Sequence, residues 1–332
     1  MKNIYYVITY FFILLLGFSC TPEYDYPSRD DSSKIEASFL SHKAYAKTQA
    51  ESICSGINLA NNSPTMVISM EEKGWEDEIQ PQTKTSWTTA NNRVTWTTGD
   101  RIGVYMRSAS GGTSYYDQNN TQYNIASGGS SSGSLTAVST AIYFPDRTTN
   151  TQFFAYYPYS SSAENSLTIN YSLPTNQTTQ AGLSGADLMC SNTPITNGST
   201  PGISLNFSHK MVLFSFKINT SLLPATLTGV TISGLNVTNT GTLNLSTGIA
   251  TPNTATTFSP SITTNQTVGI NTYAYVDIII NPCTISSNAD MSKLKVTLSF
   301  AGILSHSTGL VTSGTFVSGT RYVYNLTVLL SL

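Results

Sequence analysis

Charge is what this 332-residue chain holds least of: Asp, Glu, Lys and Arg make up 10% of it, against roughly 25% of an average soluble domain. Long solvated helices draw on Glu, Lys and Arg, so they are not expected. Sixteen Lys and Arg against eighteen Asp and Glu leave a net charge of −2, and no basic stripe offers a hold on nucleic acid. Histidine is scarcer still. His42, His209 and His306 have no metal-ligand spacing between them, and there is no HExxH. Gly129-Ser130-Ser131-Ser132-Gly133 matches GxSxG in letters only, because a nucleophile elbow needs a buried strand before it and a helix after it. No carboxylate pair sits in an apolar setting that would raise a pKa. His209, after Phe207 at the mouth of a strand, reads as a packed or capping residue. Asp100 and Asp187 read as turn residues bonding backbone amides. These absences exclude the common hydrolytic, redox and metal-dependent classes, so no enzyme, cofactor or structural metal is expected.

Long apolar runs are missing too, except at the start. Lys2 precedes an almost wholly apolar Ile4 to Phe18, and Gly17, Phe18 and Ser19 lead into Cys20. This is the charged, apolar and cleavage pattern of export. The run is short for a membrane span, which needs about 20 residues. Cys20 directly after it resembles a bacterial lipobox, with Gly17 in the place where Leu is usual. Residues 1–19 are therefore expected to be a removed signal peptide and Cys20 to be lipidated. Multiple acyl chains would hold the protein in the outer membrane. Three cysteines then remain, Cys54, Cys190 and Cys283. An odd number allows at most one internal bridge, and buried free thiols are the simpler expectation.

What fills the gap left by charge is Ser, Thr, Asn and Gly, the composition of strands with one wet face. Residues 20–63 read as a lipid-anchored tether, acidic at Glu23, Asp25, Asp30 and Asp31, with room for one short helix between Lys34 and Ala60. After Cys20 about 310 residues remain, long for one sandwich and suited to two domains. Thr65–Met70 is a short apolar run. Thr97-Thr98-Gly99-Asp100 forms a turn, and Gln152–Tyr157 is an aromatic strand closed by Pro158. Asn192–Gly202 gathers Pro194, Gly198, Pro201 and Gly202 and is the expected domain boundary. The fold class is all-β, with one domain over 64–200 and another over 201–332. In Met211–Ile218, Val212, Phe214, Phe216 and Ile218 share a face, an alternation that marks a half-buried strand. Further strands follow at 227–232, 241–245, 273–280, 294–300 and 322–330 with turns between and no helices, as in a sandwich or barrel.

The motifs carry a resemblance. Trp87 followed by Val94-Thr95-Trp96-Thr97-Thr98-Gly99-Asp100-Arg101-Ile102-Gly103-Val104-Tyr105 is similar to the W-x-x-G-D-x-I-G-V signature of the Bacteroidetes fimbrillin family. Phe154-Ala155-Tyr156-Tyr157-Pro158-Tyr159 resembles its Y-Y-P-Y element, and Asp187-Leu188-Met189 its D-L-M turn. Leu205–Lys210 resembles its F-x-H strand opening and Tyr322–Val328 its closing strand. The resemblance implies two tandem transthyretin-like β-sandwiches with Greek-key connections, lipoprotein export, and assembly into a type V pilus with other fimbrial subunits. It implies that a protease cuts after the first strand, here Thr65–Met70, in the loop Glu71–Arg93, and that a neighbour's strand then fills the groove. The family's cleavage arginine is matched in place by Lys84, and Arg93 follows nine residues later.

Two readings compete. In the first, the protein is a subunit of a surface fimbria. The closing strand Tyr322–Leu330 is followed only by Ser331 and Leu332, and its own sandwich needs it, so a tip or accessory place is expected. In the second, it is a monomeric surface lipoprotein binding host or bacterial glycans through exposed aromatics. Tyrosines on strands are ordinary sheet packing. Tyr115 and Tyr116, in a Gly/Ser/Asn loop, are the pair suited to stacking on a sugar.

Overall fold

A computed structural model of the chain describes residues 40–43, 66–74, 96–109, 118–128, 132–139, 141–144, 149–163, 166–197, 203–234, 238–253, 257–285, 294–310 and 314–329. All of them belong to one unit, Glu36–Leu332. The strands are β1 (Leu40–Lys43), β2 (Met66–Gly74), β3 (Arg101–Ser108), β4 (Thr121–Ile125), β5 (Ser132–Ala137), β6 (Thr151–Tyr157), β7 (Thr168–Ser172), β8 (Met189–Asn192), β9 (Ser204–His209) and β10 (Val212–Thr220). There follow β11 (Ala225–Ser233), β12 (Thr240–Asn244), β13 (Ile249–Pro252), β14 (Ser261–Val268), β15 (Ala274–Ile280), β16 (Cys283–Ile285), β17 (Lys295–Phe300), β18 (Ile303–Gly309), β19 (Gly314–Phe316) and β20 (Thr320–Val328). One short helix, α1 (Gln180–Ala186), lies between β7 and β8.

The first half closes into a barrel of order β1-β5-β4-β3-β6-β8-β9 rather than two open sheets. Closure comes from β1, antiparallel to β5 and parallel to β9. The expected tether thus yields Leu40–Lys43 to the barrel as a strand. Two facing edges can take both sides of a strand's backbone, which a helix in that stretch could not offer. Inside the barrel pack Trp96, Ile102, Val104, Met106, Phe153 and Phe207 with their neighbours. The alternate residues of β3 and β6, Tyr105, Phe154 and Tyr156, belong to the other core. Both faces of these strands are therefore covered, which is why their sequences are nearly continuously apolar.

The second half has two main sheets, β15-β10-β20-β2 and β14-β11-β17-β18. Phe214, Ile218, Val276, Tyr324 and Leu326 from one share a core with Leu227, Val230, Leu298 and Phe300 from the other. Each large apolar side chain so buried contributes about 1.5–3 kcal/mol. The alternation expected over 211–218 is there, but Leu213 and Ser215 are buried as well. Ser215 is satisfied by donating its hydroxyl to Asp277 at 2.5 Å and accepting from Arg321 Nε at 2.8 Å.

The expected boundary falls between β8 and β9, which pair with each other in the barrel. β7 pairs with β12 and β2 lies in the sheet of β10 and β20, so strands from both sides of residue 200 share three sheets. The strand expected to open the 64–200 domain, β2, pairs instead with β20. Sequence-adjacent segments suggest where a domain starts, but a strand settles on whichever edge is open to it.

Candidate functional site

β20 is the centre of the site. On one side it runs parallel to β10, from Leu213 opposite Arg321 to Thr220 opposite Val328. On the other it meets β2 in nine antiparallel pairs without a bulge, from Met66 opposite Val328 to Gly74 opposite Thr320. Among the described residues no strand lies beyond β2 in that sheet, so β2 is there an edge strand held along one ladder. Met66, Ile68 and Met70 stand opposite Val328, Leu326 and Tyr324. The open side of a sheet edge offers backbone donors and acceptors that an extended segment can pair with.

The floor of this seam is aromatic. Tyr322, Tyr324, Leu326 and Val328 are buried. Phe214 and Phe316 meet edge-to-face at 4.9 Å, Phe316 and Tyr322 at 4.8 Å, and Phe216 stacks on Tyr324 at 5.5 Å. Such pairs add about 0.5–1.5 kcal/mol beyond burial. Tyr324 is fully buried, and burial pushes its phenol well above its ordinary value. The seam has a backbone ladder and an apolar floor.

A second cluster joins the sequence motifs. Trp96 packs edge-to-face on Tyr157 at 5.4 Å and on Phe207 at 5.3 Å. The Tyr157 hydroxyl donates to Asp100 Oδ1 at 3.3 Å, and Asp100 Oδ2 accepts from the Thr97 amide at 2.9 Å. Gly99 makes this turn possible with φ +91°, where a side chain would be strained. Asp187 caps the end of α1 and its carboxylate meets His209 Nδ1 at 2.5 Å. Asp187 was expected to bond backbone amides; its partner is an imidazole, because β8 and β9 bring Leu188 and Lys210 into backbone contact beside it. Burial, with the Asp100 and Asp187 carboxylates adding to it, pushes the Tyr157 phenol far up. The His209 and Asp187 side chains are 1% and 10% exposed, which keeps substrate away from the imidazole and gives the pair a structural part.

Cys20, Lys84, Arg93, Tyr115 and Tyr116 lie outside the described residues, as do Cys54 and the Gly129–Ser131 part of the Gly/Ser loop. Cys190 is buried and Cys283 half-buried, both free. Burial raises the Cys190 thiol against the pull of Lys210. Cys283 is pushed up by burial to about 12. Among the described residues no group of three or more His, Cys, Asp or Glu is placed to hold a metal. No helix among them is long and apolar enough to cross a membrane. Two features had no sequence signal: Gln177, whose side chain reaches β15, and Tyr273, half-exposed with Lys217 Nζ 4.2 Å above its ring.

This all-β fold, with an edge strand beside its closing strand and the sequence motifs joined around Trp96, is that of a fimbrillin. The chain belongs to the fimbrillin-like family, whose profile matches residues 88–330. It is 29% identical over 245 residues to a candidate fimbrium subunit, Fim1C, of Bacteroides uniformis, covering 70% of this chain and 74% of that protein. Its fold is similar to the crystal structure of a candidate cell adhesion protein of Bacteroides uniformis, with a TM-score of 0.56, 26% identity, and 70% of this chain and 88% of that one covered. A candidate cell adhesion protein of Bacteroides ovatus is similar at a TM-score of 0.53, 19% identity, and 70% and 83% coverage.

Proposed function

We propose that the protein is a structural subunit of a cell-surface fimbria, exported as a lipoprotein through Cys20 and assembled with other subunits by strand exchange. The observation that carries this is the β2–β20 seam: a nine-residue edge strand on one uninterrupted ladder. Loss of β2, by cleavage at Lys84 or Arg93, leaves β20 with an open edge that a neighbour's strand fills. Strand addition of this kind draws affinity from backbone bonds and specificity from side-chain pockets, and needs no catalytic residue. The two facing sheets of the second half support the sandwich expected there.

The place in the fibre is a tip or accessory one. β20 lies between β10 and β2, so donating it to a neighbour would remove the middle of its own sheet. Exposing Tyr322, Tyr324, Leu326 and Val328 would cost a sum comparable to the 5–15 kcal/mol that holds a domain folded. The subunit accepts a strand more readily than it gives one.

The test is a lock. Ser69 and Asn325 are register partners, so Ser69→Cys with Asn325→Cys can tie β2 to β20. Multimers formed on the cell surface are expected to vanish in the locked protein and return on reduction. Undiminished multimers with the lock closed overturn the reading.

A further inference from the structure

The sheet that carries the seam has a second edge, at β15, and that edge is occupied at Ile279. Gln177, fully buried, turns its amide onto Ile279: Nε2 donates to the Ile279 carbonyl at 2.8 Å and Oε1 accepts from the Ile279 N–H at 2.8 Å. One side chain thus makes the pair of bonds that a residue of an incoming strand would make. The same short stretch holds the edge of the facing sheet. Gln177 N donates to Ser261 O at 3.0 Å, Ser261 N to Thr175 O at 2.9 Å, and Thr263 N to the Thr178 hydroxyl at 2.7 Å. Ser261 and Thr263 belong to β14, the outer strand of that sheet. Residues 175–178 therefore run along one side of the sandwich and bond the outer strands of both layers.

Helix α1 presses this stretch in place. Its N-cap, Thr179, accepts from the Gly182 amide at 3.1 Å. A Cβ at Gly182 would stand 2.4 Å from the Asn176 carbonyl oxygen and 3.0 Å from Gln177 Cα, so the approach is open to glycine alone. Asn176 steadies the turn by accepting from the Thr178 amide at 2.9 Å. A buried amide held this way is fixed before any partner strand arrives.

Unpaired sheet edges recruit strands from other chains, and proteins cover or block those that must stay free. We infer that Gln177 is a specificity determinant of assembly, closing the β15 edge at Ile279 so that a neighbouring subunit's strand can join this sheet only at β20. The inference deepens the strand-exchange reading and rests on it. It gives assembly a direction: one sheet, two edges, one of them shut by a side chain of the same molecule.

The experiment uses the full chain with β2 tied to β20 through Ser69→Cys and Asn325→Cys, so that the seam contributes no multimers. In this locked chain, Gln177→Met keeps side-chain size and loses both bonds to Ile279. Amide hydrogen exchange at Ile279 is expected to speed up roughly tenfold or more for the two lost bonds. Light scattering is expected to find multimers that the locked chain with Gln177 lacks. A folded Gln177→Met protein with a freed Ile279 amide that stays monomeric overturns the inference. If Gln177→Met does not fold, Gln177→Leu, which also loses both bonds to Ile279, takes its place under the same criteria. In the unaltered chain the Ile279 amide is expected to exchange as slowly as that of Ile278; fast exchange at Ile279 alone also overturns it. Strand exchange at the seam fails separately, when the unlocked chain with Gln177 intact forms no multimers with other subunits on the cell surface.

Discussion

The Asp187 carboxylate and the His209 imidazole meet at 2.5 Å across 22 residues of chain. They tie the end of α1 to the last residue of β9, where the chain leaves the barrel for β10 one step later. Lys210 N bonds Leu188 O, and Gly319 N bonds Met211 O, at the same corner. The pair thus holds the point where the two halves are joined.

Removing one partner of this pair takes a buried hydrogen bond from the other. Asp187→Ala is expected to destabilise the protein by about 1–3 kcal/mol, measured by urea unfolding. Asp187→Asn, which keeps an acceptor for the ring, is expected to lose less than half of that. Equal losses for the two would remove the pairing from the explanation.

Gly182→Ala tests the packing of α1 on residues 175–178. The added methyl would meet backbone, not a flexible side-chain end, so the cost is expected to be about 1–3 kcal/mol. Hydrogen exchange is expected to quicken at Ser261 and Ile279 first. Unchanged exchange at both amides would contradict the close approach.

Alkaline pH is expected to unfold the protein through its buried acids. Cys283 is pushed by burial from 9.0 to about 12, and Tyr156 from 10.0 to about 12, by burial first and by Tyr159, against its hydrogen bonds with Ser160 and Asn120. The folded state holds these protons more tightly than the unfolded chain. Their stabilising effect is complete below pH 9, weakens between pH 9 and 12, and is lost above that. Phenolate absorbance against pH, with unfolding followed by circular dichroism, checks it. Normal phenol titration at pH 10 in a still-folded protein would refute it.

Cys20→Ala is expected to abolish metabolic palmitate labelling and to release the protein from the membrane fraction. Labelling of undiminished strength would dismiss the lipid anchor.

Much of the strand grammar was legible in the sequence. Val212, Phe214, Phe216 and Ile218 alternate because each residue's partition between core and water is a local matter, and β10 follows. Tyr322, Tyr324, Leu326 and Val328 are buried as their spacing implied. The site was less legible. Asp187 and His209 stood in separate motifs and nothing in their spacing paired them. Gln177 in Asn176-Gln177-Thr178 looks like any polar loop residue, because its role depends on an edge 102 residues away.

By itself the sequence determined the fold class, the family and the faces of the later strands, since alternation is written residue by residue. Only the tertiary structure decided that β1 closes a barrel, that β2 joins β20 rather than the barrel, and that Gln177 shuts the opposite edge. The physical reason is that a strand's backbone pairs with any open edge of matching direction. Which edge is open depends on what the rest of the chain has already covered.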